Sequence, residues 1–447
     1  MTFAPQVTSA TLPPLVPGLP YLGSALLMQR DPLRYFVRLY REYGPIFRVR
    51  LLGRAITVLA GLEANQFMAT EGNEALISAQ VFDLLSQEMD TDVLITHLDG
   101  EAHRHMRKVL RRGYSRDALT PRLDQVVELV REHVSAWQPG KSLAVLPEIQ
   151  RIVTEQIGVV VANRAPREYL NDFRVFLNTN LYVGMTKMWP RFMLRTPGYQ
   201  RAKRRVMQFS RQVVEEHRAN PVAEGKGDLM DDCLAARGPD GQPFSERNLI
   251  SLAIGPYIAG IDTVAGSMTF VLYTILRDPQ LYAQITAEVD ALFESGKLSL
   301  QRIREAKTLH GAIVETLRMY PIAPFIPRNA AYDFEFAGYR VAKGTEVWVA
   351  TAVTHLLDEY FPEAERFDAE RYRQSSKAAN AYVPYSVGSH TCLGAGLADV
   401  QLMVTTAALL RYARLEIDPP DFEPIVFAAP LPSLGKRFKM RLLEKRV

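Results

Sequence analysis

Cys392 stands in the stretch YSVGSHTCLG, Tyr385 to Gly394, two residues after His390 and between Gly388 and Gly394. A cysteine so placed can be a nucleophile or a metal ligand. The only other thiol of the 447 residues, Cys233, lies far away in MDDCLAARG, which leaves no disulfide framework. No C-x-x-C and no nearby second histidine complete a zinc set. The apolar spacing after Gly394 is helical, so Cys392 sits near a helix N-terminus, where the dipole and free N–H groups favour a thiolate. A nucleophile needs a base. His390 is the nearest candidate, but two residues away in a loop the side chains need not face each other. A ligand needs no base, and it explains the glycines, which let the backbone pass close to something broad and flat.

Haem has that shape. Tyr385-x-x-Gly388-x-His390-x-Cys392-x-Gly394 resembles the F-x-x-G-x-R/H-x-C-x-G signature of the cytochrome P450 superfamily, with Tyr in place of Phe and Ser386 where a second Gly is common. Further segments follow in the family's order. ETLR (Glu315 to Arg318) resembles E-x-x-R, and AERF (Ala364 to Phe367) resembles P-E-R-F with Ala for Pro. IAGIDTVAG resembles A-G-x-D/E-T, and HRHMRKVLRR (His103 to Arg112) resembles W/H-x-x-x-R.

The resemblance covers nearly the whole chain and implies a soluble, bacterial-type member. Its fold would be mainly α with a small β region, one triangular helical domain over residues 1–447 holding haem b between a long distal helix and the proximal Cys-loop helix. Cys392 would ligate the iron. His103, Arg107, Arg328 and His390 would face the haem propionates, and Tyr385, Gly388 and Gly394 would shape the haem-binding loop, 385–394. Glu315 and Arg318, three apart on a helix, would lock with Arg366 beneath that loop. Ala259 and Gly260 would leave room for dioxygen, with Thr263 as hydrogen-bond donor and Asp262 as proton relay. An acid in an apolar helix is costly, which strengthens that assignment, although a helical Thr also commonly bonds back to its own helix.

The implied activity is a monooxygenase inserting one oxygen atom of O2 into a lipophilic small molecule such as a terpenoid, steroid or fatty acid. Electrons would come from NAD(P)H through a separate ferredoxin-like or flavin-reductase partner docking at Arg104, Lys108, Arg111 and Arg112, a run that equally suits a solvated basic face. A peroxide-driven peroxygenase or isomerase and a non-catalytic haem sensor or carrier are the alternatives. The resemblance places the substrate lining in Phe82 to Leu94, Leu181 to Phe192, Tyr257 to Val264, Ile322 to Ile326 and Val426 to Leu434. Tyr182 to Arg195 would be a mobile lid or a membrane-surface contact.

The elements that must position these residues are legible in part. With 47% hydrophobic and 23% charged residues the composition is that of a globular protein. A net charge of +4 is too mild to imply nucleic acid, and few cysteines suit a reducing cytoplasm, where a monomer is expected. Residues 1–30 form a proline-rich arm without the pattern of a signal peptide or anchor. Leu249 to Leu276 is apolar on all sides and, with Asp262 near its centre, reads as a buried central helix. Leu123, Val126, Val127, Val130, Val134 and Trp137 share one helical face, as do Ile149, Ile152, Val153, Ile157, Val160 and Val161. Helical spacing also marks Val206 to Val214, Leu281 to Phe293 and Val400 to Tyr412, and Ser245 is a candidate N-cap. A sheet-rich corner is expected from hairpins over 46–61 and 333–350.

Overall fold

The computed structural model describes residues 11–223, 225–294, 297–372 and 379–446, so the first ten residues of the expected arm lie outside the described residues. The helical faces read from spacing are the buried ones. Leu123, Val126, Val130 and Val134 are buried on the helix Leu123–Ala136, with Val127 half-buried, Leu129 buried as well, and Trp137 buried just past its end. Ile149, Ile152, Val153, Ile157, Val160 and Val161 are buried on Val145–Ala162. Both pack with Ala395–Tyr412, Glu246–Gly260 and Thr263–Leu276 into one hydrophobic core, burial of which is the main stabilising contribution to such a domain.

The long apolar segment is not one continuous helix. It is capped by Ser245, whose side chain accepts from Asn248 N at 3.4 Å, and it breaks at Ile261 and Asp262 between Glu246–Gly260 and Thr263–Leu276. One local cause is present: the Thr263 hydroxyl donates to the Ala259 carbonyl at 2.5 Å, competing with the backbone ladder. By length and composition Glu246–Leu276 is apolar enough to cross a membrane, but 67% of its most apolar window is buried inside the protein.

The five-stranded sheet runs, in spatial order, Ile46–Leu51, Arg54–Ala60, Glu346–Ala350, Ile326–Ala330 and Leu76–Ile77. The first hairpin matches the sequence expectation. It closes through Leu52 and Gly53 at φ 50° and 80°, the left-handed pair that a two-residue turn demands. The second expectation needs correction. Phe334–Phe336 pairs with Tyr339–Val341 alone, and Glu346–Ala350 leaves to pair with Arg54–Ala60 and Ile326–Ala330. A three-stranded sheet of Ser142–Ala144, Lys439–Lys445 and Ala413–Asp418 has no counterpart in the sequence reading.

Candidate functional site

The loop before Ala395–Tyr412 is tied by its own backbone. Cys392 N donates to Tyr385 O at 2.9 Å and Thr391 N to Gly388 O at 3.1 Å. The Tyr385 hydroxyl donates to Asp399 Oδ1 at 2.5 Å, pinning the start of the loop to the helix that follows it. Gly388 has φ 84°, and a Cβ there would lie 2.5 Å from Met68 O, so both conformation and space require glycine. Gly394 brings the loop against Tyr114, whose ring would lie 3.5 Å from a Cβ at that position, and the same phenol lies 3.8 Å from a Cβ built on Gly255 of the distal helix. Ser386 takes φ 64°, a left-handed conformation in which glycine is more at ease.

Cys392 is exposed, yet protein packs closely around its sulfur. That desolvation pushes the thiol pKa up, against the N–H groups of Gly394 and Ala395 and the charge of Arg107, which pull it down. The expected preference for a thiolate is therefore overridden by burial. A bound metal ion would displace the proton.

Four nitrogen-bearing side chains predicted to act together do converge. His103, only 2% exposed, stacks on His390 with ring centroids 3.8 Å apart. His390 Nε2 lies 3.0 Å from Asp99 Oδ1, and Asp99 also accepts from the Ser78 and Ala79 amides. Burial raises the Asp99 pKa, but the His390 contact and those amides outweigh it and hold the carboxyl ionised. Arg107 Nη1 donates to Thr391 O at 2.7 Å. Arg328, 5% exposed, donates only to the neighbouring Pro327 carbonyl and forms no ion pair among the described residues. Burial lowers its pKa to about 10. His103 is not the cation expected: burial and the charges of His390 and Arg107 lower its pKa to about 4, leaving a neutral N–H donor. A buried guanidinium without a carboxylate is costly. It fits a group that brings carboxylates of its own, as haem does.

At the helix break Ala259 is exposed while Gly260 packs so closely on Ile157 that a Cβ would sit 2.2 Å from its Cδ1. Gly260 thus serves the packing of two helices rather than leaving room. Asp262 Oδ1 accepts from Gln150 Nε2 at 2.6 Å. Burial raises the Asp262 pKa, opposed by that bond and by the charge of Arg174.

Glu315 and Arg318 are both fully buried and joined by two hydrogen bonds of 2.9 and 2.7 Å. The predicted third member is corrected. Arg366 is 61% exposed and pairs with Glu363 at 2.8 Å, because its amide closes a turn on the Glu363 carbonyl and turns the side chain outward. Arg371 takes the place, its Nε donating to Glu315 Oε1 at 2.9 Å. AERF and AERY (Ala369 to Tyr372) share an Ala-Glu-Arg-aromatic pattern five residues apart, and only the second reaches Glu315. Sequence reasoning also missed His355, buried between Arg318 O and Val383 N and kept neutral, its pKa lowered to about 3 by burial.

A family model described as cytochrome P450 matches residues 13–439. The chain belongs to the cytochrome P450 family. It is an oxidoreductase of the monooxygenase class, and the family's cofactor is haem. Among curated relatives it is 25% identical over 441 residues to an abscisic acid 8'-hydroxylase of Solanum lycopersicum, covering 96% of this chain and 90% of the relative. It is 24% identical over 407 residues to a sterol 14alpha-demethylase of Mycolicibacterium vanbaalenii, covering 88% of each. In fold it is similar to retinoic acid-bound cyanobacterial CYP120A1, with TM-score 0.81 at 21% identity over 98% of this chain and 100% of that one.

In this P450 chain the basic helix is less uniform than its sequence suggests. Arg104, Lys108 and Arg111 are exposed, but Arg112 grips Asp232 through Nε and Nη2 at 2.7 and 2.5 Å and reaches the Gly225 and Asp228 carbonyls. Arg112 is a structural clamp rather than part of a free face. A cleft of about 810 Å³ beside it is lined by Glu216, His217, Asp228 and Asp231 and stands apart from the haem-type site. The two aspartates there cap the helix Leu229–Ala235 reciprocally, and His217 pairs with Asp228.

Proposed function

We propose that this P450 inserts one oxygen atom of O2 into a lipophilic small molecule of terpenoid, steroid or fatty-acid-like type, with electrons from NAD(P)H arriving through a separate protein. The observation that carries this reading is the acid and hydroxyl pair, Asp262 and Thr263, at the break of the distal helix. Cys392 would hold the haem iron, and His103, Arg107, Arg328 and His390 would hold its carboxylates. The bound cofactor supplies dioxygen activation. The protein's own task is protons. Asp262, its pKa raised by burial, keeps a proton to higher pH than an ordinary carboxyl, which suits a donor. Thr263 points its hydrogen at Ala259 O, so delivering it requires the hydroxyl to rotate off that carbonyl and be resupplied by Asp262.

Apolar side chains partly buried in the proposed lining, Phe82, Leu181, Val264, Val426 and Leu431, suit a lipophilic substrate. The relatives named as an abscisic acid hydroxylase and a sterol demethylase, and the retinoic acid-bound neighbour, support the same class. The test supplies NADPH, a surrogate reductase and oxygen in one arm and peroxide alone in the other. Product in the first arm is expected. Product with peroxide only would favour the peroxygenase alternative, and none in either, with ligand-induced spectral shifts retained, a sensor or carrier.

A further inference from the structure

Asp262 is held by an amide rather than a cation. Gln150, on Val145–Ala162, is 3% exposed and donates through Nε2 to Asp262 Oδ1 at 2.6 Å, while its own Oε1 is buried without a hydrogen-bond partner. The charged and titratable groups that act on this carboxyl from neighbouring elements are Arg174 on Leu170–Asn180, whose Nε is likewise buried and unpartnered, and Tyr182. Arg174 lies outside ion-pair distance of Asp262, so Gln150 is the only side chain bonded to it among the described residues.

We propose that Gln150 is the positioning residue for Asp262, holding the acid in both protonation states. Its N–H donates to the ionised carboxylate. Turned over, its Oε1, now without a partner, accepts from the protonated acid. A cation at this place could do only the first and would lock the carboxylate ionised. The neutral amide therefore fixes where the carboxyl stands and favours its ionised form less than a cation would, so the acid can still keep its proton. This rests on the relay assigned to Asp262 above, but it is tested separately.

Infrared difference spectroscopy across a pH titration of the whole protein follows the protonated-carboxyl band that Asp262→Asn abolishes. Loss of the donor in Gln150→Met should move the titration to higher pH, with a roughly tenfold rise in the protonated-to-ionised ratio at fixed pH. Gln150→Lys should move it the other way. In Gln150→Met peroxide release per NADPH should also rise, because the carboxyl is no longer held in one place. Titration unmoved in both variants overturns the proposal. If the titration moves as expected while Asp262→Asn keeps full coupling, the hold is confirmed and the relay reading fails instead. Circular dichroism separates either result from misfolding, and Gln150→Met, close in size and apolar, is the variant that best keeps the helix packed.

Discussion

Arg371 Nε donates to Glu315 Oε1 at 2.9 Å, and Arg366, five residues earlier in an identical Ala-Glu-Arg setting, does not reach that carboxylate. Glu315 is fully buried and serves two guanidiniums, so removing Arg371 leaves part of a buried charge unpaired. Arg371→Ala should cost about 3 kcal/mol or more in urea unfolding and lower haem retention. Arg366→Ala, at an exposed pair, should stay within about 0.5 kcal/mol. Equal effects of the two would remove the distinction.

Arg104, Lys108 and Arg111 are the exposed basic side chains that could meet an acidic electron carrier, Arg104 beside Glu101 at 3.8 Å. Reversing charge at any two of them should slow reduction by an acidic ferredoxin and steepen with falling salt, since exposed charges are screened over about 10 Å at 0.1 M. Substrate affinity should not change. Arg112→Glu should act differently, breaking its fork to Asp232 and lowering the melting temperature. Stopped-flow reduction with no dependence on the first three residues would return the face to a solvated role.

Burial lowers the His217 pKa, but the hydrogen bond with Asp228 and that carboxylate's charge win and raise it to about 8. A histidine raised in the folded state stabilises fully below its unfolded pKa of about 6.5, and that contribution is lost as pH rises through about 8. Wild-type unfolding free energy should therefore fall by on the order of 1–2 kcal/mol between pH 6 and 9 relative to His217→Gln, a window set by these values. A parallel pair of pH profiles would show that the His217–Asp228 pair contributes nothing to stability.

Thr263→Ala should leave reduction and substrate binding intact but divert electrons to hydrogen peroxide, and Asp262→Asn should slow turnover, by roughly 10²-fold if the acid is essential. Product and peroxide per NADPH measure both. A fully coupled Thr263→Ala would make the hydroxyl's bond to Ala259 O its whole role.

Much of this was legible in the sequence. The buried helical faces followed from spacing because they pack on one core, and the Leu52–Gly53 turn from alternation around a glycine. The cluster around His390 and the Glu315–Arg318 pair were located by motif. What escaped were long-range partners. Arg371 instead of Arg366 is decided by which copy of the Ala-Glu-Arg-aromatic pattern follows an outward turn, and Gln150 meets Asp262 across 112 residues with no local signal. The charge of His103 and the ionisation of Cys392 depend on burial, which spacing does not report. Arg112 looked like its neighbours until Asp232 was placed beside it.

The ferrous carbon monoxide spectrum of purified protein tests the central assignment most directly. The long-wavelength Soret band of thiolate ligation should appear in wild type and in Cys233→Ala, whose thiol is buried with its pKa raised by desolvation, and vanish in Cys392→Ala. Retention of the band in Cys392→Ala, or its loss in a folded Cys233→Ala, would contradict the assignment of Cys392 as the iron ligand.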